Sequence, residues 1–377
     1  MKICIISNSH LTGDVRLYHK LAKSLAQKAE TYVLSGKGMI NKELNPYQII
    51  VDADSPNKIL PSLYRECMRI KPDIVIPVEP LTVPVALLLR RRLGCRVIWD
   101  IHEFFAYAHG ERYHFLLRPF VRFAYLRFQR MLARSVDGIT AVNLSILQQL
   151  LPGKISPKKH IVLPNYPVAG VWDGDQDIPH SLSDLCKMNF DLIYIGGISK
   201  DRGILQLLKA ATLLKKDFPL LKILIVGRFA NEKIQREFNS SVSNYNLNRT
   251  IFYQEWVPLE KVGLLLKRSR FGIWFFNPSN WRMPQHLPLK VLEYFAAGLP
   301  VISIKSSLMQ GLIYHNDLGA LSPSFRAKDI ALTILKMLRL TDKEYAEMSA
   351  RCLEISNTRF VWESLEPALF GLIDRFS

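Results

Sequence analysis

The sequence predicts an α/β protein made of two Rossmann-like halves, each around a largely parallel sheet. Three observations point there. Short β-branched runs alternate with helical periodicity through the first half, and the same alternation restarts after residue 190. Between the two series, Pro164-Asn165-Tyr166-Pro167-Val168 and then Gly170 to His180 concentrate proline, glycine and aspartate, the composition of a connection. A length of 377 residues is also too great for one average core.

In order along the chain, Lys2–Ser7, Thr31–Ser35, Gln48–Val51, Asp73–Val78, Arg96–Trp99 and Gly138–Val142 read as strands. Asp14–Ala29 reads as a helix, because Val15, Leu17, Tyr18, Leu21, Ala22 and Leu25 recur at spacings of three and four. The second series offers Asp191–Ile195, Lys222–Gly227, Thr250–Tyr253, Phe271–Phe276 and Pro300–Ile304. Residues 1–168 are expected to form one domain, 169–357 a second, and 358–377 a helix that returns to the first. The two domains are expected to face a cleft, with ligands at the carboxyl ends of the strands.

Composition narrows the class. Hydrophobic residues make up 49% and charged residues 22%, an ordinary soluble balance. The uncharged run Leu81–Leu89 is far short of the roughly 20 residues that cross a bilayer, and a cytoplasmic location is expected. Five scattered cysteines without a CxxC pair suit free thiols, and no metal site is expected. The net charge of +17 is uneven: residues 1–170 hold 24 Lys+Arg against 12 Asp+Glu. That bias implies an anionic partner surface. No recognised RNA or DNA module accompanies it, so nucleic acid is not the expected partner.

Two loops carry candidate chemistry. The first strand of the second series runs into Gly196-Gly197-Ile198-Ser199-Lys200-Asp201-Arg202-Gly203, with a helical pattern following. Glycines allow close backbone approach, and a cation before a helix N-terminus adds positive potential, which suits a phosphate. In Gln285-His286-Leu287-Pro288-Leu289-Lys290-Val291-Leu292-Glu293, Pro288 fits the first turn of a short helix and Gly298 fits its end. Glu293 on this otherwise apolar helix is costly to bury unless it meets donors such as ribose hydroxyls, or a structural partner such as Lys290.

Together with Asp14-Val15-Arg16, Asp100-Ile101-His102-Glu103 and the terminal Trp362-Glu363, these segments resemble the family 4 retaining glycosyltransferases of GT-B fold. The likeness is nearest to the branch that builds bacterial capsule and O-antigen polysaccharides. It implies a nucleotide-sugar donor, UDP- or GDP-linked, on the second domain and an acceptor on the first, with no further cofactor. By the same resemblance the catalytic set is His102, Arg202 and Gln285. Donor contacts fall to Gly196, Gly197, Arg202, Arg228, Trp256, Val257, Pro288, Leu289, Lys290 and Glu293. Two positions depart from the family pattern. Gln285 stands where the first glutamate of the E-x7-E motif is expected, and Gly197 where a basic residue is frequent. An amide still bonds a hydroxyl but supplies no negative charge; Arg228 is the candidate replacement cation.

Glu111–Ser135 interleaves arginines with aromatics. On a helix, Leu117, Phe120, Val121, Ala124, Phe128, Met131 and Leu132 share one side. Arg118, Arg122, Arg127, Arg130 and Arg134 take the other, with Phe123 and Leu126 among them. Such a face suits an anionic bilayer surface. The expectation is therefore a peripheral enzyme on the inner face of the plasma membrane, transferring sugar to a lipid-linked saccharide. The alternatives are a non-catalytic scaffold or regulator of polysaccharide assembly, and a nucleotide-sugar epimerase. The triplets Asp52-Ala53-Asp54 and Asp173-Gly174-Asp175 are read as solvated turns.

Overall fold

The computed structural model describes residues 1–51, 58–110, 113–172, 178–257, 259–280 and 287–376. Gln285, Glu111, Arg112 and both Asp-x-Asp triplets lie outside the described residues. The chain divides into two compact units, Met1–Asn165 with Trp362–Ser377, and Tyr166–Val361.

The first unit holds seven strands: β1 (Lys2–Ile6), β2 (Glu30–Ser35), β3 (Tyr47–Ile50), β4 (Ile74–Pro77), β5 (Arg96–Ile101), β6 (Gly138–Ala141) and β7 (His160–Val162). They pair in parallel in the order β3-β2-β1-β4-β5-β6-β7. β1, β4 and β6 are apolar almost throughout because helices cover both faces of such a sheet. Strand order reverses between β1 and β4, so the loops leaving these two strands form the switch point where ligands characteristically bind.

After β1, Asp14 caps the next helix by accepting from the backbone N–H groups of Arg16 and Leu17. The helix is wide-wound over Val15–Ala22 and tightens to α over Lys23–Leu25. Buried Trp362 donates from Nε1 to Ser24 Oγ at 2.8 Å, and Ser24 in turn donates to Glu366 at 2.7 Å. These bonds and the buried Leu369, Leu372 and Ile373 anchor the terminal helix Glu366–Ile373 in the first unit.

The second unit holds β8 (Phe190–Ile195), β9 (Ile223–Val226), β10 (Ile251–Gln254), β11 (Ser269–Trp274), β12 (Val301–Ile304) and β13 (Gly319–Ser322). All are parallel, in the order β10-β9-β8-β11-β12-β13, with the switch point between β8 and β11. One continuous core fills it, centred on residues such as Ile193, Ile225, Phe271 and Ile302. The edge strands β7 and β13 were absent from the sequence expectation: each is short, and β13 opens on a glycine.

All five cysteines are unpaired and buried. Among the described residues no helix is long and apolar enough to cross a membrane.

Candidate active site

In the second unit the switch point is built by three loops. β8 ends at Ile195, and Gly196 follows with φ +141, a conformation that favours glycine. The guanidinium of Arg202 lies against Gly196, where a Cβ would come within 3.0 Å of it, and its Cζ stands 5.1 Å from the Trp274 ring centroid. Stacking on an indole face and contact with the Tyr194 hydroxyl hold this cation in place, with no carboxylate among the described residues to neutralise it. Tyr194 donates to Gly197 O at 2.6 Å and so fixes the loop itself.

The helix Leu289–Ala296 begins just after Pro288, which stands immediately before the first turn instead of in it. Gly298, at φ +71, ends the helix as the sequence indicates, its N–H bonding Phe295 O. Tyr294 locks the helix to the sheet. Its hydroxyl accepts from Ile195 N at 2.9 Å and donates to Ile273 O at 3.3 Å, bridging β8 and β11. Gly272 leaves room for its ring, since a Cβ there would meet it at 2.4 Å. Burial pushes the Tyr294 phenol far above its ordinary range, so it stays a neutral donor.

One residue before Tyr294, Glu293 is 6% exposed. Its Oε2 accepts from Lys290 Nζ at 2.7 Å, and its backbone oxygen accepts from Trp172 Nε1 at 3.2 Å. The cost of burying the carboxylate is thus offset by the i,i+3 cation, while no described group bonds its Oε1.

The third loop follows β9. Gly196 N bonds Val226 O, Ile198 N bonds Arg228 O and Ala230 N bonds Ile198 O, zipping the loops after β8 and β9 together. Arg228 points away from that seam: its Nε is 3.8 Å from Glu255 and its Cζ is 5.8 Å from the Trp256 ring. Trp256 is exposed and Val257 buried. Around Gly197 a Cβ would meet nothing within 4 Å, so the position of the family's basic residue is open space.

In the first unit His102, just past β5, is only partly exposed. Asp100, within β5, is fully buried and accepts from Arg16 Nε at 2.8 Å, Arg16 Nη2 at 2.7 Å and Thr140 Oγ1. Burial raises the Asp100 carboxyl, but the adjacent Arg16 charge and bonds outweigh it and hold it well below the usual range. Two residues the sequence reading passed over join His102: His10 after β1 and Glu79 after β4. The available signal was that each lies in the loop leaving a strand, His10 after Ile6 and Glu79 after Pro77.

The arginine helix is Arg118–Ser135, seven residues shorter at its start than expected. Its inward face is rotated away from the expected one, burying Gln129, Leu132 and Ala133. Phe120 and Phe123 are 75% and 66% exposed, and Met131 is exposed with Arg127 and Arg134. Arg122 is not on the free cationic face: it turns inward, its Cζ 5.0 Å from the Tyr107 ring. Arg130 is likewise engaged, donating to Gln149 O at 3.0 Å. Arg118 donates to Tyr113 O at 3.1 Å and keeps partial exposure.

With this geometry in view, residues 183–353 match the family model of glycosyl transferases group 1, and residues 58–166 that of the glycosyl transferase 4-like domain. The chain carries both glycosyltransferase domains. Solved structures agree on the fold. HepE of Anabaena, in complex with UDP and glucose, superposes over all of both chains with a TM-score of 0.74 at 14% identity. Sucrose-phosphate synthase of Thermosynechococcus elongatus reaches 0.73 at 15% identity, covering 100% of this chain and 98% of that one. The glycosyltransferase fold here is GT-B, two Rossmann-like domains in one chain. Among curated relatives, UDP-glycosyltransferase TURAN of Arabidopsis thaliana is 29% identical over 120 residues, 32% of this chain and 24% of that protein. The chitobiosyldiphosphodolichol beta-mannosyltransferase of Yarrowia lipolytica is 26% identical over 105 residues, 28% and 21% respectively. The matched stretch thus spans under a quarter of either relative.

Proposed function

We propose that this glycosyltransferase moves a sugar, with retention of anomeric configuration, from a UDP- or GDP-linked donor on its second unit to a lipid-linked saccharide acceptor on its first. The proposed setting is surface polysaccharide assembly of the capsule or O-antigen kind. One observation carries the donor half: Arg202, with no carboxylate partner among the described residues and stacked on Trp274, flanks the Gly196 turn, while Glu293 on the Leu289–Ala296 helix has one oxygen that no described group bonds. A leaving diphosphate needs cationic stabilisation as charge develops, and Arg202, Lys290 and the start of the Leu289–Ala296 helix supply it without a metal. Glu293 Oε1 suits ribose hydroxyls and exposed Trp256 the nucleobase. HepE was crystallised with UDP-glucose as well as with UDP, which supports a nucleoside-diphosphate sugar here.

Thermal shift with UDP and GDP tests the donor site. At a hundredfold excess over Kd, a ligand that binds only the folded state adds about 2.7 kcal/mol. Arg202→Ala and Glu293→Ala each remove a charge-assisted contact of about 1.5–3 kcal/mol, weakening the nucleotide about ten- to a hundredfold. Binding unchanged in both variants refutes the assignment.

The acceptor half rests on His102 and on the exposed strip Phe115, Leu116, Leu117, Phe120 and Phe123 beside Arg118, Arg127 and Arg134. Apolar groups in a cationic face suit an anionic bilayer, each cation adding about 1 kcal/mol. In liposome flotation, recovery rises with anionic lipid, and Phe120→Asp with Phe123→Asp reduces it severalfold. Equal recovery on neutral and anionic vesicles counts against membrane docking.

A further inference from the structure

At the carboxyl ends of β1, β4 and β5, polar side chains run in one line from carboxylate to carboxylate. Glu79 Oε1 accepts from His10 Nδ1 at 2.7 Å, and His10 Nε2 stands 3.2 Å from His102 Nε2 with the rings edge to face at 77°. His102 Nδ1 then faces Asp100 Oδ2 at 3.9 Å. Glu79 is fixed as an acceptor by Ser7 Oγ at 2.6 Å and by the N–H of Asn8 at 3.0 Å. His10 must therefore carry hydrogen on Nδ1, which leaves its Nε2 to meet His102.

Two nitrogens 3.2 Å apart hold one hydrogen between them, not two. If that hydrogen sat on His102, the bare Nδ1 of His102 would turn a lone pair toward the Asp100 carboxylate. That Nδ1 is buried and has no hydrogen-bond partner among the described residues. If the hydrogen sits on His10, His102 accepts at Nε2 and keeps its own hydrogen on Nδ1, facing the negative charge.

We propose that His10 is a positioning residue for His102: clamped by Glu79, it donates from Nε2 to Nε2 and fixes His102 as the Nδ1–H tautomer, the two rings sharing one excess proton. This rests on the reading of His102 as the acceptor-side group, whose Nε2 lone pair His10 occupies here, so a saccharide hydroxyl reaches that nitrogen only by displacing His10. The charges around the pair agree. Negative charge on Glu79, Asp14 and Glu103 acts on His10, and Asp100, paired with Arg16, stands 3.9 Å from His102 Nδ1. Burial lowers the His10 imidazole, but the Glu79 bond and the negative charges outweigh it and the net direction is upward.

Nitrogen-15 NMR of the histidine rings in the full chain reads this directly, with His10→Gln and His102→Gln assigning the signals. In the unmodified protein His102 is the Nδ1–H tautomer. His10→Gln, whose amide still donates, preserves that tautomer, whereas His10→Leu abolishes the preference. Glu79→Gln lowers the titration of His10, because an adjacent negative charge is lost. A His102 found as Nε2–H, or unmoved in a folded His10→Leu protein, overturns the proposal. A tautomer change in His10→Leu supports it; undiminished turnover of whichever nucleotide sugar raises the thermal midpoint then refutes the acceptor-side role of His102, not the positioning of its ring.

Discussion

Arg16→Ala lowers the stability of the first unit by about 3–5 kcal/mol, the cost of leaving a buried charge unpaired. Asp100 is 0% exposed and takes two of its three hydrogen bonds from Arg16. The same guanidinium donates to Leu163 O at 3.2 Å and lies 5.9 Å from the Trp362 ring, so it also ties the end of β7 and the returning segment to β5. At about 2–4 °C per kcal/mol for a unit of this size, the thermal midpoint falls by about 10 °C. The pH dependence has a definite sign. In the unmodified protein the folded carboxyl is depressed, so its stabilisation is present above the unfolded value of about 3.9 and is lost as pH falls toward the folded one. Without Arg16 the carboxyl is raised instead, so its penalty is largest at neutral pH and shrinks on acidification toward pH 4. Unfolding in urea at pH 7 and pH 4 checks both points. A loss below about 1 kcal/mol at pH 7, the range of an exposed pair, would show that the contact is not buried in solution.

What could be read from the sequence depended on how local the determinant was. β1, β4, β9 and β12 announce themselves because a strand covered on both faces is apolar at nearly every position. β7 is only His160-Ile161-Val162, and β13 is Gly319–Ser322; at a sheet edge neither needs an apolar run, so neither has one. The Lys290–Glu293 pair was legible as an i,i+3 spacing. So was the sharp turn at Gly196, although not the indole of Trp274 that holds Arg202 against it, which comes from β11 across the switch point. The His10–Glu79 contact spans 69 residues and exists because β1 and β4 are neighbours, a fact of strand order that no motif encodes. The arginine helix failed differently. Phe, Leu and Arg occur all round it, so periodicity left its rotation undecided, and packing placed Gln129 inward while leaving Phe120 outside.

Gly227→Ala destabilises the second unit by about 2–4 kcal/mol and weakens nucleotide binding as severely as Arg202→Ala does. A Cβ at Gly227 would stand 1.9 Å from the carbonyl oxygen of Gly196, and Gly227 itself has φ +150. The obstacle is backbone, so no side-chain rotation relieves it, and strain of about 1–3 kcal/mol for the dihedral adds to a comparable overpacking cost. Relief requires the loops after β8 and β9 to part, breaking the bond from Gly196 N to Val226 O at 2.9 Å. Gly196 is the surface against which the Arg202 guanidinium rests, so that cation moves with it. Gly197→Ala is the matched control: one residue along, its Cβ meets nothing and its backbone lies outside the left-handed region. It should stay within about 0.5 kcal/mol of the unmodified protein without nucleotide. Thermal unfolding with and without UDP separates the two effects, because a midpoint lost without nucleotide reports strain, and a shift lost on adding it reports the displaced arginine. If Gly227→Ala unfolds normally and binds UDP normally, the two loops do not touch, and the turn that presents Arg202 is not built as described.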